Sequence, residues 1–153
     1  VTEIKLNLEQ IKEYQQNRHP YLFVDYIEKL VPGKISNGYK ILSKDEWFFK
    51  VHWPGDPNMP GMLQVESLVQ TSALALTALP NNKGKLVYLI SADRLRFIKK
   101  ILPESKLILN TKIKEYKRGI ASVEGEAYVN DTLVCSADFR IIMPDEINKF
   151  KVK

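Results

Sequence analysis

Between Pro60 and Pro80 the chain runs GMLQVESLVQTSALALTAL, a helix-length segment that is apolar on nearly every side. Met, Leu, Val and Ala dominate it, Ser, Thr and Gln supply most of the polarity, and Glu66 is the single charge. A proline at the start and a proline after the end are punctuation for a helix over Met62–Leu79. A helix with no polar face has to be wrapped by other structure. Its longest apolar stretch, Thr71–Leu79, is far short of the roughly 20 residues that cross a bilayer. At about 1.5 Å per residue the helix is roughly 27 Å long. That matches the width of about five or six neighbouring strands curled around it.

The rest of the sequence offers such strands. Asn7 and Gln10 have capping-box spacing, and LEQIKEYQQ continues as a short amphipathic helix. YLFVDYIEKL (21–30) and ISNGYKILS (35–43) read as strands around a PGK turn. Lys44–Pro60 reads as a Pro/Gly-rich loop. After NNKG come KLVYLISADRLRFIK, SKLILNTKIKEYK, IASVEGEAYVN and TLVCSADFRIIM, separated at Pro103, KRG and NDT. Strands joined by short turns predict an antiparallel sheet and an α+β fold. The 153 residues show no repeat or linker and read as one domain, 1–153. Six strands leave one side of the helix open, which a second subunit would close.

Composition narrows the function only a little. A net charge of +5 permits an anionic partner. No recognition helix or stacking-aromatic motif accompanies it, which argues against nucleic acid. Cys135 is the only cysteine, so no intrachain disulfide forms; in the alternating run LVCSADF it reads as a small buried thiol. The N-terminal VTEIKLNLEQ lacks a signal-peptide core, and a reducing cytoplasm is the expected compartment.

The chemistry concentrates in HWPGDPNMPGMLQVE (52–66). On a helix, Glu66 has Met62, Leu63, Val69, Gln70 and Ala73 as neighbours, so burial should raise its pKa and let it serve as a general acid. The bland alternative is a carboxylate satisfied by a basic partner. His52 stands before a loop stiffened by Pro54, Pro57 and Pro60, with Gly55 and Gly61 allowing close backbone approach. A lone histidine is more often structural, but such a loop holds one imidazole in one place. The N–H at Gly61, opening the helix, suits a developing oxyanion. Base, acid and oxyanion donor together suit α-proton removal with departure of a β-hydroxyl.

These residues resemble the signature of the 3-hydroxyacyl-acyl-carrier-protein dehydratases of the FabZ and FabA types, which have the hot-dog fold. His52, Trp53, Pro54–Gly55, Met59–Pro60–Gly61, Glu66 and Gln70 fall at the family's offsets, and glutamate at the acid position favours the FabZ type. RHPYLFVDYI (18–27), DRLRFIKKILP (93–103) and YKRGIASVEGEAYVNDTLVCSADF (116–139) extend the likeness over most of the chain. The resemblance implies His52 as the base and Glu66, from the other subunit of a homodimer, as the acid that protonates the leaving hydroxyl. It implies Gly61 as oxyanion donor, and substrate contacts at Val51, Trp53, Pro60, Met62 and Gln70. The acyl chain would lie between two central helices. Dimers, or trimers of dimers, would work without metal or redox cofactor, on substrates carried by the phosphopantetheine of an acyl carrier protein. Arg94, Arg96, Lys99 and Lys100 would dock that carrier; a solvated strand face is the alternative. Some members have a cis bond after the histidine, here His52–Trp53.

The chain departs from the family pattern at Val51, where a small residue is usual, at Asn17 and His19, and at Asn58. No catalytic role passes to His19. Two other readings stay open: a hot-dog thioesterase, and a non-catalytic acyl-binding or assembly subunit.

Overall fold

The computed structural model describes residues 2–149. Eleven elements follow in order: β1 (Ile4–Leu6), α1 (Leu8–Tyr14), β2 (Tyr26–Val31), β3 (Ile35–Ile41), α2 (Trp47–Val51), α3 (Gly61–Thr77), β4 (Tyr88–Phe97), β5 (Lys106–Lys117), β6 (Ile120–Val129), β7 (Thr132–Ile142) and α4 (Pro144–Asn148). The strands form one seven-stranded sheet in the order β1-β2-β3-β5-β6-β7-β4, antiparallel at every pairing. The expected α+β architecture, a curved antiparallel sheet around one long helix, is the hot-dog arrangement.

The capping box forms as read: the Gln10 N–H donates to Asn7 Oδ1 and the Asn7 N–H to Gln10 Oε1, both at 2.9 Å. Where the sequence suggests a strand from Tyr21, the strand starts only at Tyr26. The cause is a side chain far along the chain. Phe23 N–H donates to Gln70 Oε1 (2.8 Å), and Gln70 Nε2 donates to the Tyr21 carbonyl (3.0 Å). The backbone of 21–23 thus spends its hydrogen bonds on α3 rather than on a ladder. The expected loop at 44–60 contains α2, which buries Phe48 and Phe49. The short β1 adds a seventh strand, where six were expected.

Helix α3 is buried almost throughout, from Gln64 to Thr77 with Glu66 half-buried. Its hydroxyls are satisfied within the helix: Ser67 Oγ donates to Leu63 O, and Thr71 Oγ1 to Ser67 O. Strands β2, β3, β5, β6 and β7 pack against it. The approach is closest at Gly125, where a Cβ would sit 3.2 Å from a Leu68 methyl, so the sheet backbone rests on the helix side chains. Leu68, Leu74 and Leu76 are fully buried in the resulting core.

Strand β4 behaves differently. It pairs with β7 on one side and forms the edge of the sheet on the other. Tyr88, Leu89, Ile90 and Phe97 on it are exposed, as are Leu86, Ile98 and Leu102 beside it. A large apolar stretch along an unpaired strand edge is a surface that calls for cover. Among the described residues no helix is long and apolar enough to cross a membrane.

Candidate active site

His52 is the C-cap of α2, its N–H donating to the Phe48 carbonyl at 3.0 Å. The burial of Phe48 and Phe49 therefore fixes where the imidazole starts. Its ring is fixed by the loop that follows. Nδ1 lies 3.0 Å from the Asn58 carbonyl. A carbonyl oxygen only accepts, so Nδ1 carries a hydrogen, and in the neutral ring Nε2 then has the lone pair. That is the tautomer of a general base. The loop holds its shape through the Asp56 N–H on Trp53 O (2.9 Å) and Asn58 Nδ2 on Asp56 O (2.7 Å). The Met59 N–H donates to Ile101 O (2.9 Å), and Lys100 forms an ion pair with Asp56. These contacts tie the loop to the segment after β4. The Trp53 ring lies 5.8 Å from the imidazole. The His52–Trp53 bond is trans; the cis bond among the described residues is His19–Pro20.

Gly61 opens α3, so its N–H has no acceptor inside the helix and sits at the positive end of the helix dipole. The Phe97 ring lies over it: a Cβ there would stand 2.9 Å from Phe97 Cε1. Only glycine leaves both the ring and the N–H in place. A cavity of about 500 Å³ adjoins this N-terminus, lined in part by Gly61, Met62, Gln64, Phe97, Lys99 and Lys100.

Glu66 lies one and a half turns further along α3. Burial raises its carboxyl pKa above the usual value, while a hydrogen bond from Gln70 Nε2 (3.1 Å) opposes the shift. Gln70 cannot turn around, because its Oε1 is held by the Phe23 N–H. The carboxyl thus receives a fixed donor on Oε1 and is biased towards carrying a proton. Glu66 and Gln70 line a cavity of about 370 Å³ that runs along α3 past Val69 and Ala73 to Thr77, with Leu86–Leu89 as its other wall. Burial and the Glu66 carboxylate both push the Tyr21 phenol up.

The predicted residues do not share one cavity. Glu66 and Gln70 share the groove along α3, and His52 does not line it. Gly61, Met62, Lys99 and Lys100 surround the helix N-terminus. Val51, Trp53 and Met62 are exposed, and Pro60 is partly buried. The basic quartet divides. Arg94 and Arg96 line a cavity of about 600 Å³ on the outer face of the sheet, with Lys112, Glu124, Glu126 and Asp138. A register shift between Asp93 and Arg96, with Arg94 at φ 48°, turns the strand there, and Arg94 pairs with Asp138. His19 is exposed. Sequence reasoning did not give Phe97 a place in the site; its only signal was an aromatic set among basic residues. No cluster of three or more metal-ligating side chains occurs among the described residues.

The family model of the FabA-like domain matches residues 16–138. The chain belongs to this family. It is 36% identical over 137 residues to a protein of Syntrophomonas wolfei named 3-hydroxyacyl-[acyl-carrier-protein] dehydratase FabZ, covering 90% of this chain and 95% of that one. A protein of the same name from Alkaliphilus metalliredigens is 38% identical over 144 residues, covering 93% and 98%. Among solved structures, the dehydratase heterocomplex ApeI:P of Xenorhabdus doucetiae shares the fold, with a TM-score of 0.76 at 14% identity over 94% of this chain and 97% of that one.

Proposed function

We propose that this FabA-like protein dehydrates 3-hydroxyacyl thioesters of an acyl carrier protein to trans-2-enoyl thioesters, in the synthesis of fatty acids or related acyl chains. The observation that carries the reading is the bond from His52 Nδ1–H to Asn58 O, which in the neutral ring leaves Nε2 free to act as the base. Nε2 takes the α-proton. The electron pair moves onto the thioester oxygen, which the Gly61 N–H stabilises. When it returns, the Cα–Cβ double bond forms and the C–O bond to the β-hydroxyl breaks. Glu66 supplies the proton with which that hydroxyl leaves as water. The cycle closes when His52 returns its proton and Glu66 regains one. Proton transfers of this kind call for no metal and no redox cofactor.

The acid comes from a second copy, a reading supported by the groove into which Glu66 opens, which His52 of the same chain does not line. The exposed apolar edge of β4 is the surface on which that copy docks, giving a homodimer; a trimer of dimers is the further assembly. The groove along α3, covered by the partner, takes the acyl chain, with Val51, Trp53, Pro60 and Met62 around the reacting end. Lys99 and Lys100 flank the mouth and face the acidic carrier and its phosphopantetheine. Arg94 and Arg96 extend the basic surface around the strand edge. The cytoplasm is the compartment in which such substrates are made.

The test is turnover of 3-hydroxybutyryl- and crotonyl-carrier thioesters, with enoyl absorbance and free thiol recorded together. Reversible absorbance change without thiol release is expected. Thiol release would mean a thioesterase, and neither signal an acyl-binding subunit. His52→Ala and Glu66→Gln should each lower the rate by about 10² to 10⁴-fold while sedimentation shows the dimer intact.

A further inference from the structure

The loop that holds the base is anchored at Met59, which is buried, and open at its tip. A Cβ placed on Gly55 would meet nothing within 4 Å, and a cavity of about 370 Å³ lies among Trp53, Pro54, Gly55, Asp56, Asn58 and Lys100. The loop's C-terminal end is tied to the body by the Met59 N–H on Ile101 O, by Gln64 Nε2 on Met59 O and by the buried Met59 side chain, while its tip has the Asp56–Lys100 ion pair. Asp56 lies two residues before Asn58, and Asn58 Nδ2 donates back to the Asp56 carbonyl. Pro57 stands between them and stiffens the link. A displacement of Asp56 therefore moves the Asn58 carbonyl, which is the acceptor that orients His52.

We propose that Asp56 and Lys100 form a charge latch that positions His52, and that an acidic carrier surface opens it by taking Lys100 for itself. Lys100 lines the cavity beside Gly61 together with Lys99, and both partners of the ion pair are more than half exposed (60% for Lys100, 53% for Asp56). An exposed pair of this kind is weak and open to competition from other anions. A carboxylate or phosphate arriving at Lys99 and Lys100 meets a cation already shared with the loop of the base. Docking and base geometry are thus drawn from the same ammonium group. Asp56 is a positioning residue: it touches neither substrate nor reacting atoms.

The inference rests on the dehydratase reading for its carrier, and two readouts separate the two. With carrier-bound substrate, Asp56→Asn should lower KM roughly two- to fivefold, because Lys100 is released to the carrier. With a carrier-free thioester of N-acetylcysteamine it should instead lower kcat by a similar factor, because the loop that carries the Asn58 carbonyl keeps its Met59 anchor but loses the one at its tip. Asp56→Glu should restore both values. The charge-reversed pair Asp56→Lys with Lys100→Asp should restore the carrier-free kcat but not the carrier KM. Turnover is not needed for the second readout. The chain has two histidines, so ¹⁵N imidazole spectra resolve His52, and its Nδ1–H signal should move both in Asp56→Asn and on saturation with acidic carrier protein. Unchanged His52 signals, or a carrier-free kcat untouched by Asp56→Asn, would overturn the latch even in a fully active dehydratase. A moving signal in a protein without dehydratase turnover would support the latch and sink the reading beneath it.

Discussion

Glu66 and His52 belong to one short stretch of chain, yet the protein holds them by opposite means. Glu66 rides on a helix that five strands enclose, and its partner Gln70 is fixed by two backbone groups of the 21–23 segment. His52 hangs from a five-residue helix and a proline-stiffened loop, with exposed Val51 and Trp53 on either side. The carboxyl is half-buried at a groove between α3 and Leu86–Leu89. The imidazole is partly buried in a loop whose neighbouring residues are exposed. A fold can hold one group by burial and another by a stiffened loop, and the two then fail in different ways.

The sharpest way to break this contrast is to put the two defects in different subunits. His52→Ala and Glu66→Gln are each nearly inactive alone. If acid and base meet across a two-fold, unfolding and refolding an equal mixture should recover roughly a quarter of wild-type activity, since half the dimers carry one intact site of two. Rates that stay at the level of the separate variants would place both groups in one chain. The gain over either variant spans orders of magnitude.

A smaller effect probes the carboxyl half alone. Gln70→Ala removes the donor on Glu66 and orphans the Phe23 N–H, so urea titration should show about 1 to 3 kcal/mol lost. The Gln70 bond lowers the Glu66 pKa against the raising effect of burial. Without it the carboxyl keeps its proton to higher pH, and the alkaline limb of the rate profile should move up. A downward shift would mean that Gln70 does something other than hydrogen-bond the ionised form.

How much of this was legible depended on the range of the interactions. An apolar segment between two prolines announces α3, alternation announces β5 to β7, and the Asn7–Gln10 spacing announces α1, because each is set by residues close in sequence. The segment at 21–23 misleads because its hydrogen bonds end on Gln70, a residue of another element. Helix α2 hides in a five-residue run whose helicity comes from burying Phe48 and Phe49. In the site, His52 and Glu66 stand out as chemistry. Phe97 does not, because its place over Gly61 exists only once β4 has paired. The basic quartet reads as one patch until a bulge turns Arg94 and Arg96 to the outer face.

The smallest effect tests the buried side of the contrast by titration. Burial in β7 pushes the Cys135 thiol up to about 11 from an ordinary 9.0. A folded pKa above the unfolded one means that the native state holds the proton longer. Its stabilising share is whole below pH 9.0 and fades as pH rises towards about 11. Thermal melts across that window should fall less steeply for Cys135→Ala than for the wild type. Equal slopes would mean that the thiol ionises freely in the native state.

The bare rim of β4 also matters before any chemistry begins. A freshly made chain displays a ready template of backbone and apolar side chains, and the template does not ask whether its first visitor is a twin or a misfolded stranger. In the proposed homodimer, rapid pairing would therefore be a form of quality control: where copies are scarce, the strand that receives the partner is also the one that seeds aggregation.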